Sequence, residues 1–304
     1  MALSSRKTKL SDMIIALILF CVILLCVMPM INLLAQSLSS SQSVINGMVS
    51  FLPILHNLED NTYGYGMTLE SYRYVFLDSS FSRSMWWTAI LTVICTLLSL
   101  AMTILCAYPL TYDWLRGKTF INTVIIFTMY FSAGTIPNYV LMRSLNLLNN
   151  PLVLIIPNCL SVFNMIILRS FFFGIPDSLR ESAEIDGANP FTVLIRIYLP
   201  LSGPVLATLA LFYAVGRWNG FGDALIYLSM APQWVPIQLK LWQLIQNTAS
   251  VDISTVELAA GSIPRASDAI KAAAIMFATV PILIVYPWLQ RYFIKGVTIG
   301  AVKG

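Results

Sequence analysis

Four carboxylates, Asp177, Glu181, Glu184 and Asp186, stand within ten residues of one another in this 304-residue chain and form its densest acidic cluster. A membrane enzyme such as a glycosyltransferase would need acids or histidines gathered in this way at one face. The other ingredients of catalysis are sparse. The single histidine, His56, supplies no metal-ligand set, and the five cysteines (Cys21, Cys26, Cys95, Cys106 and Cys159) contain no C-x-x-C pair, so they read as small apolar residues and no metal is expected. No G-x-x-x-x-G-K loop is present, which removes that route to binding ATP. Asp113 and Asp223 lie near opposite edges of apolar stretches and make no proton or sodium relay, which a secondary transporter would usually need. A different chemistry is offered by Tyr213, Arg217, Trp218, Asn219, Asn158 and Asn164, since sugars are bound by aromatic faces ringed with amides, and Arg217 would suit an acidic sugar. Each of these also reads as interhelical packing or a span-to-span hydrogen bond, worth roughly 0.6 to 2 kcal/mol.

The setting of these residues is apolar. The chain is 58% hydrophobic and only 11% charged, with a mean hydropathy of +0.77, where a soluble domain carries about 25% charged residues. Six stretches are long enough to cross a ~30 Å hydrocarbon core as helices: residues 13–36, 85–112, 120–142, 151–168 with a Phe171-Phe172-Phe173 extension, 201–228 and 272–290. Unpaired backbone groups exclude open strands from lipid, and the segments are too continuous for barrel strands. The fold class expected is therefore an all-α polytopic membrane protein with six transmembrane helices, a single domain over residues 1–304.

Six spans put both termini on one side, which holds 11 of the 18 basic residues and 6 of the 14 acids, for a net +5 against −1 on the other side. Both termini are expected in the cytoplasm by the positive-inside rule, and the net charge of +4 needs no nucleic-acid partner. Residues 13–30 follow Arg6, Lys7 and Lys9 as a secretory signal would, but the apolar run is longer than an h-region and no small-x-small site precedes Gln36, so an uncleaved span is expected. Two outward segments are long. Residues 37–83 carry Tyr63, Tyr65, Tyr72 and Tyr74, and in residues 229–268 the spacing of Ile237, Leu241, Leu244 and Ile245 predicts a short amphipathic helix.

The acidic cluster itself lies in the longest inward segment, residues 177–200, whose punctuation predicts two short helices. Pro176 stops the fourth span, Ser178 with Glu181 predicts a capping box, and Gly187 sits where a left-handed residue closes a helix. Asn189 then caps a second helix with Pro190 at its first position, and Pro200 marks the entry to the fifth span. Phe191, Leu194, Ile195 and Tyr198 form an apolar face on the second helix, while the charges of the first, Arg180 included, are expected to point outward.

The run Glu181-Ser182-Ala183-x3-Gly187-x9-Ile197-x-Leu199-Pro200 resembles the EAA loop of ABC-importer permeases, E-A-A-x3-G-x9-I-x-L-P, departing from it only at Ser182. Asp186-Gly187-Ala188 resembles the D-G-A of the carbohydrate branch, and Trp218-Asn219-x-Phe221 resembles the W-N-x-F of maltose-type permeases. The tail from Gln290 through Lys295, Gly296 and Gly300 to Lys303 and Gly304 is similar to the ending of the complex-oligosaccharide branch. The resemblance covers about Ser37 to Gly304. It implies a non-catalytic permease of the bacterial cytoplasmic membrane that forms half of a translocation pathway for an oligosaccharide. The implied partners are a second homologous permease, two ATPase subunits that bind the ATP and Mg, and a lipid-tethered extracellular sugar-binding protein. It implies further that the loop is a coupling helix seated in an ATPase cleft, with Glu181 pairing a basic residue, Ala183 allowing close approach and Gly187 making the turn. The tail would slide into the same interface. A secondary transporter or channel is the competing class, and it predicts transport that is sensitive to ionophores and independent of an ATPase.

Overall fold

The structure, a computed structural model, describes residues 10–57, 62–250 and 267–301. The chain divides into two compact units, Met1–Ser79 with Leu241–Thr279, and Ser80–Lys240 with Val280–Gly304.

In the first unit, α1 (Leu10–Ser37) is apolar on every side and exposed from Asp12 to Ile31, with only its end buried, at Ala35 and Ser37. Such a helix is stable only where hydrocarbon replaces water around it. The chain then folds back as a two-stranded antiparallel hairpin, β1 (Ile54–Asn57) and β2 (Thr62–Tyr65), with Ile54 opposite Tyr65. Two serines at the end of α1 hold it, the Ser39 and Ser40 hydroxyls accepting from the Ile54 and His56 amides at 3.0 Å each. The His56 ring packs on Tyr63, and the Tyr72 hydroxyl meets that of Ser37 at 3.0 Å. This hairpin departs from the all-helical expectation, although the fold stays predominantly helical. Its signal was present as two β-branched and aromatic runs flanking acidic and amide turn residues.

In the second unit, α2 (Ser79–Ala107) is the one unbroken span besides α1 and the last helix, and it carries on through a 3-10 turn at Pro109–Thr111. The third expected span is two helices, α3 (Lys118–Tyr130) and α4 (Thr135–Ser144), bent by 115° at Gly134, which has φ +88°. The fourth is shorter than expected. A 3-10 turn at Pro151–Leu154 and irregular backbone precede α5 (Val162–Phe172), because Pro151 and Pro157 leave the early residues without helical donors. At 1.5 Å per residue α5 covers only about 16 Å. It is followed, after a 75° bend, by α6 (Asp177–Ile185). Next come α7 (Pro190–Leu201) and, past an 83° bend at the buried Ser202, α8 (Gly203–Asn219). The fifth span thus ends at Asn219, and a separate turn of helix, Gly222–Tyr227, completes the expected 201–228 stretch.

The amphipathic helix read near residue 237 is present as α9 (Ile237–Ser250), with Ile237 and Leu241 buried. The last helix, α10 (Ser267–Ala301), runs through Lys295, Gly296 and Gly300; Lys303 and Gly304 lie outside the described residues. A continuous core of the second unit lies where the end of α2 meets α5, α7 and α8, around Tyr108, Tyr112, Leu168, Phe172, Leu194, Tyr198 and Leu209.

Candidate functional site

The loop between α5 and α8 is built by its caps, although not all of them are the expected ones. The capping box does not form. Pro176 is the N-cap of α6, so the helix starts at Asp177 and Ser178 falls inside its first turn, where its carbonyl accepts from the Ser182 hydroxyl at 2.8 Å. Asp177 favours that end of the helix through its charge. Ser182, the one departure from the family motif, is thereby satisfied within its own helix.

The C-terminus of α6 follows the sequence reading closely. Gly187 has φ +80°, its amide donates to the Glu184 carbonyl at 3.1 Å, and the Ala188 amide reaches back to Ala183 at 2.9 Å. These are the two bonds of a Schellman turn. A Cβ at Gly187 would meet nothing within 4 Å, so the glycine is there for its backbone angle and not for space. Asn189 caps α7 by accepting from the Thr192 amide at 2.8 Å and the Thr192 hydroxyl at 3.0 Å.

Beyond that cap, α7 departs from the expected face. A π turn over Leu194–Tyr198 shifts the register, burying Val193, Leu194 and Tyr198 and leaving Phe191 and Ile195 exposed. Ile197 and Leu199 are half-buried against the core, and Pro200, lacking an amide proton, is exposed ahead of the bend. Ala183 and Ala188 pack inward onto the same core.

Arg180 corrects the expectation that all charges of α6 point outward. Its side chain lies over the Tyr112 ring at 5.1 Å, pairs with Asp177 at 3.0 Å and approaches Glu184 at 3.9 Å. Burial pulls its pKa down, the carboxylate of Asp177 pushes it up, and the net direction is up, so it remains a cation. What α6 presents to its surroundings is Glu181 and Asp186, neither with an ion-pair partner among the described residues, beside Ile185 at 86% exposure.

A second constellation lies within the membrane part. A cavity of about 520 Å³ is lined by Ser99, Asn158, Ser161, Asn164, Tyr213, Arg217 and Asp223 among others. The Tyr213 hydroxyl is held by Thr103 at 2.7 Å and by the Ser161 amide at 3.2 Å. Arg217 is buried and bidentate to Asp223, at 2.5 and 3.1 Å, and its guanidinium also donates to the Gly220 carbonyl at 2.8 Å. Asn158 donates at 3.3 Å to the Asp223 oxygen, Oδ2, that also takes the shorter of the two Arg217 bonds. Of the residues singled out for a sugar path, Tyr213, Arg217, Asn158 and Asn164 therefore meet at one cavity, and Trp218 and Asn219 do not. Trp218 lines an apolar groove on another face of α8, with Trp86, Ala89 and Ala214. The Asn219 side-chain Nδ2 donates back to the Val215 carbonyl at 3.0 Å.

Sequence reading missed the Arg217–Asp223 pair. Its signal was two opposite charges flanking Gly220 and Gly222 in an otherwise apolar stretch, because a charge at that depth needs a partner. A Cβ at Gly220 would lie 3.0 Å from the Gly216 carbonyl and 3.2 Å from the Arg217 guanidinium, so the pair closes over a glycine that leaves room for it.

Comparison with known proteins settles what kind of chain this is. Residues 81–299 match the family of binding-protein-dependent transport system inner membrane components. The chain belongs to that family. The polygalacturonan/rhamnogalacturonan transport system permease protein YtcP of Bacillus subtilis is 38% identical over 298 residues, covering 98% of this chain and all of YtcP. Protein LplC of the same organism is 43% identical over 239 residues, 78% of this chain and 79% of LplC. Among solved structures, a chain of a bacterial ABC transporter involved in import of the acidic polysaccharide alginate superposes with a TM-score of 0.83 at 31% identity, covering 96% of this permease and 100% of that chain. The permease is the membrane-spanning transport subunit of an ABC importer.

Two outcomes follow from the geometry. Asp223→Ala strands the Arg217 charge inside the protein and is expected to destabilise the purified permease by about 3–5 kcal/mol, whereas the double replacement Arg217→Met with Asp223→Leu recovers most of that loss. Thermal unfolding in detergent measures both. Gly187→Val forces a β-branched residue to positive φ at roughly 1–2 kcal/mol and re-aims α7. Normal membrane abundance with uptake lost is the expected result in an uptake assay, while Gly203→Ala, at an open glycine of ordinary φ, leaves uptake intact.

Proposed function

We propose that this permease moves an oligosaccharide inward across the bacterial cytoplasmic membrane as half of a two-permease pathway, with both termini cytoplasmic. Two ATPase subunits beneath it bind and hydrolyse ATP with Mg, and an extracellular sugar-binding lipoprotein delivers the cargo; this chain performs no catalysis and holds no cofactor. Sugars are the cargo named for YtcP and for the alginate transporter. The cavity lined by Asn158, Asn164, Ser161 and Tyr213 offers the hydrogen-bonding surface that sugar hydroxyls need. Arg217 contributes less to an acidic cargo than its charge suggests, because Asp223 neutralises it. Trp218 and Asn219 would meet the cargo outside this cavity, Trp218 from the apolar groove on another face of α8.

The observation that carries the coupling role is the Schellman turn at Gly187, which fixes α6 relative to α7 while leaving Glu181, Asp186 and Ile185 exposed. An acid and a bare aliphatic side chain held on a rigid short helix suit a cleft with a basic residue and an apolar floor. Ala183, Ala188, Ile197 and Leu199 serve the same seat from within, by holding the loop to the core, while Ser182, bonded inside α6, and Pro200, ahead of the bend, serve it through the shape of the loop. Lys295, Gly296, Gly300, Lys303 and Gly304 are proposed to add a contact from the tail.

Glu181→Lys reverses the charge without touching the caps, since Glu181 stands past the first turn of α6. Co-purification of the ATPase from membranes is expected to fall about tenfold or more, with permease abundance unchanged; wild-type recovery of ATPase would count against the docking role. Deleting residues 296–304 is expected to lower sugar-stimulated ATP hydrolysis in the purified complex while insertion stays normal, and undiminished stimulation would remove the tail from the interface.

A further inference from the structure

The loop is joined to the second span by a contact that its covalent connections to the fourth and fifth do not require. The Tyr108 hydroxyl, at the inner end of that span, donates to the Pro190 carbonyl at 2.9 Å. Having spent its proton there, it accepts from the Tyr112 hydroxyl. The face of Tyr112 in turn carries the Arg180 guanidinium of α6 at 5.1 Å, and Arg180 is tied along its own helix to Asp177. Rings of Tyr108, Tyr112, Phe172 and Tyr198 meet edge to face with centroids 5.1 to 6.3 Å apart, and all four are buried. Both arms of the loop, α6 through Arg180 and α7 through Pro190, are therefore fastened to the turn that ends the second span just past α2, on either side of the Gly187 turn.

We infer that Tyr108 is a positioning residue for coupling: its hydroxyl makes α6, α7 and the inner end of the second span move as one body when the ATPase subunits close. The inference rests on the reading of α6 as the ATPase-docking helix and adds to it the element that receives the motion. Two discrete arrangements of a packed cluster transmit a displacement only if its members cannot slip past one another. Aromatic packing alone permits slip. The directional chain Tyr112 to Tyr108 to Pro190 does not.

Tyr108→Phe removes the hydroxyl and keeps the ring, so the fold and the docking face stay as they are. The test uses the full complex of permeases, ATPase and binding protein, with spin labels at Arg116→Cys, on the loop leaving the second span, and Ser178→Cys on α6, both exposed. In the otherwise wild-type permease the distance between the labels is expected to stay constant when ADP and vanadate trap the closed ATPase. In Tyr108→Phe it is expected to shift and broaden on trapping, unchanged at rest, while binding-protein-stimulated ATP hydrolysis falls about fivefold, the equilibrium weight of one neutral hydrogen bond. Tyr112→Phe, which removes the donor to Tyr108, is expected to loosen the pair in the same direction and less. A Tyr108→Phe complex whose label distance stays as narrow after trapping as that of the wild type overturns the inference. Failure of the docking reading is recognised separately, by Glu181→Lys retaining the ATPase whatever Tyr108→Phe does.

Discussion

A chain that leaves the membrane, turns and re-enters holds a fixed geometry only if its backbone groups are satisfied at the turn, because a loose loop would absorb any force applied to it. In this permease that condition is met at Gly187. The left-handed backbone there allows Ala188 to bond back to Ala183 and Gly187 to Glu184, closing the carbonyl end of α6. Asn189 closes the amide end of α7 two residues later. With both ends capped, the angle between the helices is set by bonded geometry, and the inward faces of Ala183, Ala188, Leu194 and Tyr198 reach the core at the same time.

The same logic operates inside the membrane with a different device. Where α8 stops at Asn219, the freed carbonyl of Gly220 is taken by Arg217, whose charge is in turn held by Asp223 at the start of the next turn of helix. A broken helix is tolerated at such depth when side chains replace the lost backbone bonds. Gly220, Gly222 and Asp223 at the break line the same cavity as Asn158, Asn164 and Tyr213.

The sequence carried the large features because hydrophobic length is a robust signal. Residues 13–36 lie within one helix and residues 85–107 of the second stretch within another, and the caps at Gly187 and Asn189 were legible because few residue types satisfy those positions. Other features depended on contacts that no local pattern encodes. The helix α6 begins two residues early because Pro176, and not Ser178, takes the cap; a proline there is equally compatible with ending the previous helix. Arg180 turns inward because Tyr112, 68 positions earlier in the chain, presents a ring to it. The π turn at Leu194–Tyr198 rotates the apolar face by a step that regular periodicity cannot anticipate. Gly134, which bends the third span by 115°, was one glycine inside an apolar run, and such a residue reads as tolerated until its φ is known. The hairpin at residues 54–65 was within reach of the sequence but was passed over in a segment judged only by its tyrosines.

The central claim is that α6 is the surface on which the ATPase sits. Placing a single cysteine at Ile185, the most exposed apolar side chain of α6, and treating the assembled complex with a short bis-maleimide measures this directly. The account predicts a covalent permease–ATPase product at Ile185→Cys and none at Tyr65→Cys, on the hairpin that the proposed orientation puts outside the cell. A complex that hydrolyses ATP normally yet gives no product at Ile185→Cys would contradict it.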